Sequence, residues 1–235
     1  MPHEEAARIQ ERLAALVCLT PLAVLGPEAP AVAAGADVAY SNDGRRAWAA
    51  AVALDRRMHL VGSCLIEDEP DGAYARGFLA FREGRLLIRA LQALAPRPDV
   101  VFLDGHGVVH ERGLGLASHV GVLLGLPTIG VAKTPFAPVD RSPGLDRGDF
   151  VVFTTPRGAQ GAAVRLKARS KQVYVSPGHL TDLASAIELA LVWSTGRRRV
   201  PEPLARAHTL SVLARAAAQG DPEARRALAS FEETQ

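Results

Sequence analysis

The stretch Val100-Val-Phe-Leu-Asp-Gly-His-Gly107, followed by Gly113-Leu-Gly-Leu-Ala-Ser-His-Val-Gly-Val-Leu-Leu124 and Thr128-Ile-Gly-Val-Ala-Lys133, decides the fold class. Val100 to Leu103 is a short, continuously apolar run, the pattern of a strand buried on both faces. Gly113 to Leu124 has helical spacing, and Thr128 to Ala132 is a second short buried strand. With a helix over Glu83 to Leu94, ended before Pro98, this alternation predicts parallel strands joined by right-handed crossovers.

Upstream the pattern differs. Ala31 to Tyr40 is an apolar strand that runs into the turn Ser41-Asn-Asp-Gly44, and two more strands follow over Ala47 to Leu54 and His59 to Ile66. Links this short permit only antiparallel pairing. Three antiparallel strands feeding a parallel half make a mixed α/β sheet, the order of a ribonuclease H-like fold. Downstream, Phe150 to Thr155, Ala162 to Leu166 and Val173 to Val175 read as short strands. Thr181 to Ser194 reads as a helix capped by Thr181, and helices over Pro203 to Ala218 and Pro222 to Phe231 close the chain. An amphipathic helix over residues 4 to 18 opens it. With neither repeat nor long linker, residues 1–235 are expected to form one domain.

Composition narrows the class. Of 235 residues, 48% are hydrophobic and 22% charged, enough for one substantial core. A formal net charge of +2 announces no nucleic-acid partner. The basic clusters Arg165 to Lys171 and Arg197 to Arg199 read first as solvated faces. Cys18 and Cys64 lack zinc spacing and are expected to be buried free thiols in a reducing, cytoplasmic compartment. No apolar run reaches the roughly 18 residues of a membrane span, and the acidic start is not that of a signal peptide.

Several residue types then point to chemistry. Asp37 lies inside an apolar strand, where a carboxylate is costly unless paired or bound to metal. Asp104 ends a buried parallel strand, where α/β sheets place ligands, and the glycines beside His106 permit close backbone approach. Glu83 alone is a favourable first-turn acid. With Asp37 and Asp104 it offers a third oxygen ligand of the kind Mg²⁺ or Mn²⁺ takes. Lys133, at the end of the next strand, suits a phosphate oxygen or simply a snorkelling strand end. His106 and His110 are four residues apart, but Gly105, Gly107 and Gly113 make the stretch a loop, so a zinc site is disfavoured. His208 alone reads as a surface or satisfied histidine.

Read together, Ala34-Gly-Ala-Asp-Val38, Gly77-Phe-Leu-Ala-Phe-Arg-Glu83 and Pro98-Asp-Val-Val-Phe-Leu-Asp-Gly-His-Gly-Val-Val-His110 resemble the endonuclease V family. Gly115-Leu-Ala-Ser-His-Val-Gly121, Pro127-Thr-Ile-Gly-Val-Ala-Lys133, Val175-Ser-Pro-Gly-His179 and Val200-Pro-Glu-Pro203 continue the resemblance along nearly the whole chain.

The resemblance implies a monomeric ribonuclease H-like nuclease of DNA repair. Its substrate is DNA containing deoxyinosine, or inosine-containing RNA for some members, with hydrolysis of the second phosphodiester 3′ to the deaminated base. The ends left are a 3′-hydroxyl and a 5′-phosphate. Carried over, Asp37 and Asp104 are metal ligands and Glu83 completes the acidic cluster for Mg²⁺, with Mn²⁺ able to substitute. His208 matches a fourth active-site group, Lys133 meets the scissile phosphate or positions the nucleophile, and His110 lies beside the substrate strand. Gly77, Leu79, Gly105, Gly115 and Leu116 line the pocket for hypoxanthine.

The family's wedge loop, usually Pro-Tyr-Ile-Pro-Gly, corresponds to Ala73-Tyr-Ala-Arg-Gly77. Tyr74 and Gly77 are kept, but both prolines are gone and Arg76 has entered. This departure leaves two rivals in view, a structure-directed nuclease on the same fold and a catalytically silent nucleic-acid-binding module.

Overall fold

The computed structural model describes residues 3–72 and 75–232. Its strands are β1 (Val32–Tyr40), β2 (Ala47–Asp55), β3 (Leu60–Asp68), β4 (Val100–Leu103), β5 (Thr128–Ala132), β6 (Phe150–Thr154), β7 (Gln160–Val164) and β8 (Val173–His179). The helices are α1 (His3–Ala14), α2 (Leu79–Gln92), α3 (Leu116–Leu124), α4 (Leu183–Val192), α5 (Glu202–Ala218) and α6 (Pro222–Glu232). The strands form one eight-stranded sheet in the order β3-β2-β1-β4-β5-β8-β7-β6. β1 to β3 pair antiparallel, β4 and β5 join β1 in parallel, and β8, β7 and β6 complete the sheet antiparallel. The mixed sheet expected from the sequence is the one observed.

Side-chain alternation along β1 assigns its two faces. Ala34 and Ala36 pack with Leu87 and Leu91 of α2 and with Ala117 and Val120 of α3. Ala33 faces the opposite layer, with Ile187 of α4, Trp193 just after it, and Leu204 and Leu210 of α5. Gly35 lies on that second face, and a Cβ there would sit 2.2 Å from the Leu204 backbone nitrogen. Only glycine lets α5 approach β1 this closely, and the approach brings later residues of α5 over the end of the strand.

Four local expectations are corrected. Glu83 is not a first-turn acid, because α2 begins at Leu79, four residues earlier, and its first turn holds no acid. The apolar run Leu79-Ala-Phe continues the helix that carries the Leu87 face, so Glu83 stands one turn inside it. Asp182, not Thr181, caps α4, accepting the Ser185 amide at 2.8 Å, as expected of the shorter and stronger acceptor. Thr181 is itself fully buried, and its hydroxyl has no partner among the described residues. α3 starts at Leu116, because Gly113 is left-handed (φ 71°) and Gly115 is extended. Finally, both cysteines are free as expected, but Cys18 is exposed and Cys64 only half-buried.

Candidate active site

The parallel register of β1 on β4 places Ala36 opposite Leu103, so the next residues, Asp37 within β1 and Asp104 just past the end of β4, come to neighbouring positions. Adjacent strands lie about 4.8 Å apart, which puts two carboxylates side by side. β5 continues the row, since Leu103 pairs with Gly130 and Lys133 leaves the end of that strand. Glu83 approaches from α2, and His208 from α5.

Each acid carries its own donor. Asp37 Oδ2 accepts from the Ser211 hydroxyl at 2.9 Å and lies 3.0 Å from His208 Nδ1. Tyr40 donates its hydroxyl to Glu83 Oε1 at 2.8 Å, and Lys133 Nζ donates to Asp104 Oδ2 at 2.5 Å. The electrostatics tie the groups together. Burial pushes the Glu83 carboxyl up to about 8, with the charges of Asp37 and Asp104 adding to the shift and the Tyr40 hydrogen bond opposing it. Burial also raises Asp104, against the pull of Lys133. The hydrogen bond to Asp37 raises His208. Concentrated negative charge is thus held partly in check by protons and cations.

Asp37, Glu83 and Asp104 together form a hard-oxygen donor set, which fits a divalent cation of the Mg²⁺ or Mn²⁺ kind. Among the described residues no three His, Cys, Asp or Glu side chains already stand grouped to hold a metal. Each acid is turned to its own hydrogen-bond donor instead.

Beside this cluster opens a cavity of about 540 Å³. Gly77, Leu79, Gly105, His110, Gly115 and Leu116 all line it, together with Asp104 and Lys133. Asp37, Glu83 and His208 are not among its lining residues. Tyr74 and Ala73, expected in the wedge, lie outside the described residues. The Arg76 guanidinium stands 6.0 Å from the Phe136 ring centre at the cavity wall. Phe136 in turn packs against the rings of His106 and His110.

The loop around His106 is held tightly. A Cβ at Gly107 would meet the Pro177 carbonyl oxygen at 1.9 Å, and the Gly107 amide donates to Ser176 Oγ at 2.8 Å. At the rim, the Gly77 carbonyl accepts from Gln10 Nε2 at 3.0 Å, from the Arg112 guanidinium at 3.0 Å and from His110 Nε2 at 3.1 Å. Desolvation holds both His106 and His110 down at about 4, so both are neutral at physiological pH.

Sequence reasoning missed Tyr40, Ser211, Gln10 and Phe136. Gln10 left one trace, a polar residue one turn after Ala6 on the buried face of α1. The other three carry no local signal.

Comparison with known proteins agrees with the geometry. The family model Endonuclease V matches residues 13–209. The endonuclease V of Methanothrix thermoacetophila is 42% identical over 210 residues, covering 89% of this chain and 90% of that protein. The crystal structure of endonuclease V from Streptomyces avermitilis superposes with a TM-score of 0.84 at 38% identity, covering 93% of this chain and 95% of the other. A Ciona intestinalis endonuclease V, solved with a 24mer DNA containing an inosine followed by a ribo-adenosine, gives a TM-score of 0.76 at 27% identity, covering 89% and 95%. With a matched family model over most of its length and these relatives, the chain is an endonuclease and belongs to the endonuclease V family.

Proposed function

We propose that this endonuclease acts in DNA repair on DNA containing deoxyinosine. It takes the base into the 540 Å³ cavity and hydrolyses the second phosphodiester on its 3′ side, leaving a 3′-hydroxyl and a 5′-phosphate. The whole chain acts as one nuclease domain, and as a monomer. The observation that carries the reading is the junction of two features at Asp104 and Lys133: a cluster of buried and half-buried acids and a half-open cavity with glycine-rich walls.

The target base leaves its stack to be read in the cavity. Gly77, Gly105 and Gly115 offer backbone groups to its edge, and Leu79 and Leu116 offer apolar contact. His110, neutral and donating to the Gly77 carbonyl, keeps the rim in place beside the substrate strand. Tyr74 and Arg76 belong to the wedge that fills the space left by the base.

At the cut, Asp37, Glu83 and Asp104 would hold the divalent ion, Mg²⁺ with Mn²⁺ as a substitute. When bound, that ion supplies Lewis-acid stabilisation of phosphate charge and acidifies a water. Lys133 meets a non-bridging oxygen of the scissile phosphate. His208, tied to Asp37 and half-exposed, orients the attacking water or steadies the leaving oxygen in this reading. Ser211 fixes the carboxylate that fixes His208.

End-labelled duplexes carrying one deoxyinosine test the reading, incubated with Mg²⁺, with Mn²⁺ or with chelator, beside Asp37→Ala. A metal-dependent nick at the second phosphodiester 3′ to the inosine, absent in the variant, is expected. Cutting of mismatched duplexes without regard to inosine would favour a structure-directed nuclease. No cutting of DNA or inosine-containing RNA with either metal would leave a binding module.

A further inference from the structure

A second cavity, of about 380 Å³, opens on the far side of the Asp104–Lys133 pair. It shares only those two residues with the base cavity. Its walls come from the loop after β7, from the link between α4 and α5, and from the first turns of α5 as far as His208. The lining is strongly one-sided in charge: Lys133, Lys167, Arg197, Arg198 and Arg199 face the single carboxylate of Asp104. Val200, Leu204 and Ala205 add an apolar floor.

These cations are not equivalent. Arg199 donates to the Lys171 and Gln172 carbonyls at 3.0 Å each, which staples the arginine run to the loop after β7. Arg198 lies 3.9 Å from the Glu202 carboxylate. The Lys167 ammonium and the Arg197 guanidinium have no side-chain partner among the described residues, and both side chains are exposed. Two unneutralised cations held on a stapled loop, over an apolar floor and next to the cutting site, match the chemistry of a nucleic-acid strand: anionic phosphates outside, apolar sugar faces inside.

We propose that this groove is the track of the substrate strand on the 3′ side of the cut, with Lys167 and Arg197 each gripping one backbone phosphate. The assignment rests on the function proposed above, which supplies its polarity. A base held in the first cavity and a cut 3′ to it at Asp104 and Lys133 leave the strand one exit, across the second cavity.

The test measures binding by fluorescence anisotropy over a salt series, on an Asp37→Asn background so that the strand stays whole. One inosine-containing strand carries a long 3′ flank, a second ends just beyond the scissile position, and a third has a long 3′ flank but a truncated 5′ side. Lys167→Ala, Arg197→Ala and the double variant are compared with Arg97→Ala, which removes a cation at the opposite ends of the strands.

The expected result is a salt slope lower by about one for each groove residue removed, with affinity reduced at least about tenfold in the double variant. The loss appears on both strands with the long 3′ flank and vanishes on the strand without it. Lys167→Arg keeps the parent slope. Equal losses on the strand lacking the 3′ flank, a loss that depends on the 5′ flank, or an unchanged slope would overturn the inference. Failure of the parent enzyme to nick at the inosine is a separate result. It removes the functional reading and the polarity with it, whereas normal nicking with a flank-independent variant sinks the groove alone.

Discussion

Lys133 Nζ and Asp104 Oδ2 meet at 2.5 Å, joining the ends of two neighbouring parallel strands and forming the boundary between the two cavities. The lysine opposes the burial that raises the Asp104 carboxyl. Its ammonium touches the acidic cluster and borders both cavities.

Replacing Lys133 with Met keeps the length of the chain and removes its charge. Cleavage should fall at least about 100-fold, the usual cost of losing one donor to a developing anion. Lys133 is about half exposed, with side-chain accessibility of 47%, so the thermal midpoint should barely move. A large loss of stability with activity retained per folded molecule would show the pair to be structural.

Gly35 sets the distance between β1 and α5. Gly35→Ala drives a methyl into the Leu204 backbone, whose nitrogen would be 2.2 Å away. Overpacking of this kind costs about 1–3 kcal/mol, and each kcal/mol lowers the midpoint by about 2–4 °C in a chain of this size. Activity should fall further than stability does, because His208 and Ser211 ride on the displaced helix. Thermal melts and cleavage rates on the same preparation check both parts.

Gln10 ties α1 to the rim of the 540 Å³ cavity through the Gly77 and Leu114 carbonyls and accepts from Arg112 Nε at 2.5 Å. Gln10→Leu leaves Leu114 O and the Arg112 Nε without this partner, at a cost of about 1–3 kcal/mol. Steady-state kinetics should show KM rising severalfold with kcat nearly kept, since the residue shapes the pocket and lies far from the acids in sequence and role. An unchanged KM with a lowered kcat would contradict this.

His119, on α3, packs its ring against Phe81, and its Nδ1 is buried with no partner among the described residues. Desolvation lowers its pKa from 6.5 to about 4. The unfolded chain therefore binds the proton first as pH falls, and native stability is lost between about pH 6.5 and pH 4. That window corresponds to about 3 kcal/mol. Chemical denaturation of the protein and of His119→Leu across this range should show the variant gaining on the parent as pH drops, with their difference constant above pH 7. A constant difference at all pH values would mean that the imidazole binds its proton equally well in the folded and the unfolded chain.

Local pattern alone determined much of this protein. Continuous apolar runs at Val100 to Leu103 and Thr128 to Ala132, and short links between the first three strands, give the mixed sheet, because burial period and connection length are properties of neighbouring residues. An acid in the middle of an apolar strand was equally legible, and Asp37 is indeed 8% exposed. The resemblance of whole motifs marked Glu83 and His208, which spacing alone read as an ordinary helix acid and a surface histidine.

Tertiary structure decided which donor serves which acid. Asp37 meets His208 and Ser211 across 171 and 174 positions, and Tyr40 meets Glu83 across 43. Such pairings depend on strand register and on the closeness of α5 that Gly35 allows. Neither is written in any local window, because a hydrogen bond between distant segments exists only once the packing of the layers between them has fixed both ends. The same holds for the two cavities, whose walls come from elements spread over the chain and which meet only at Asp104 and Lys133.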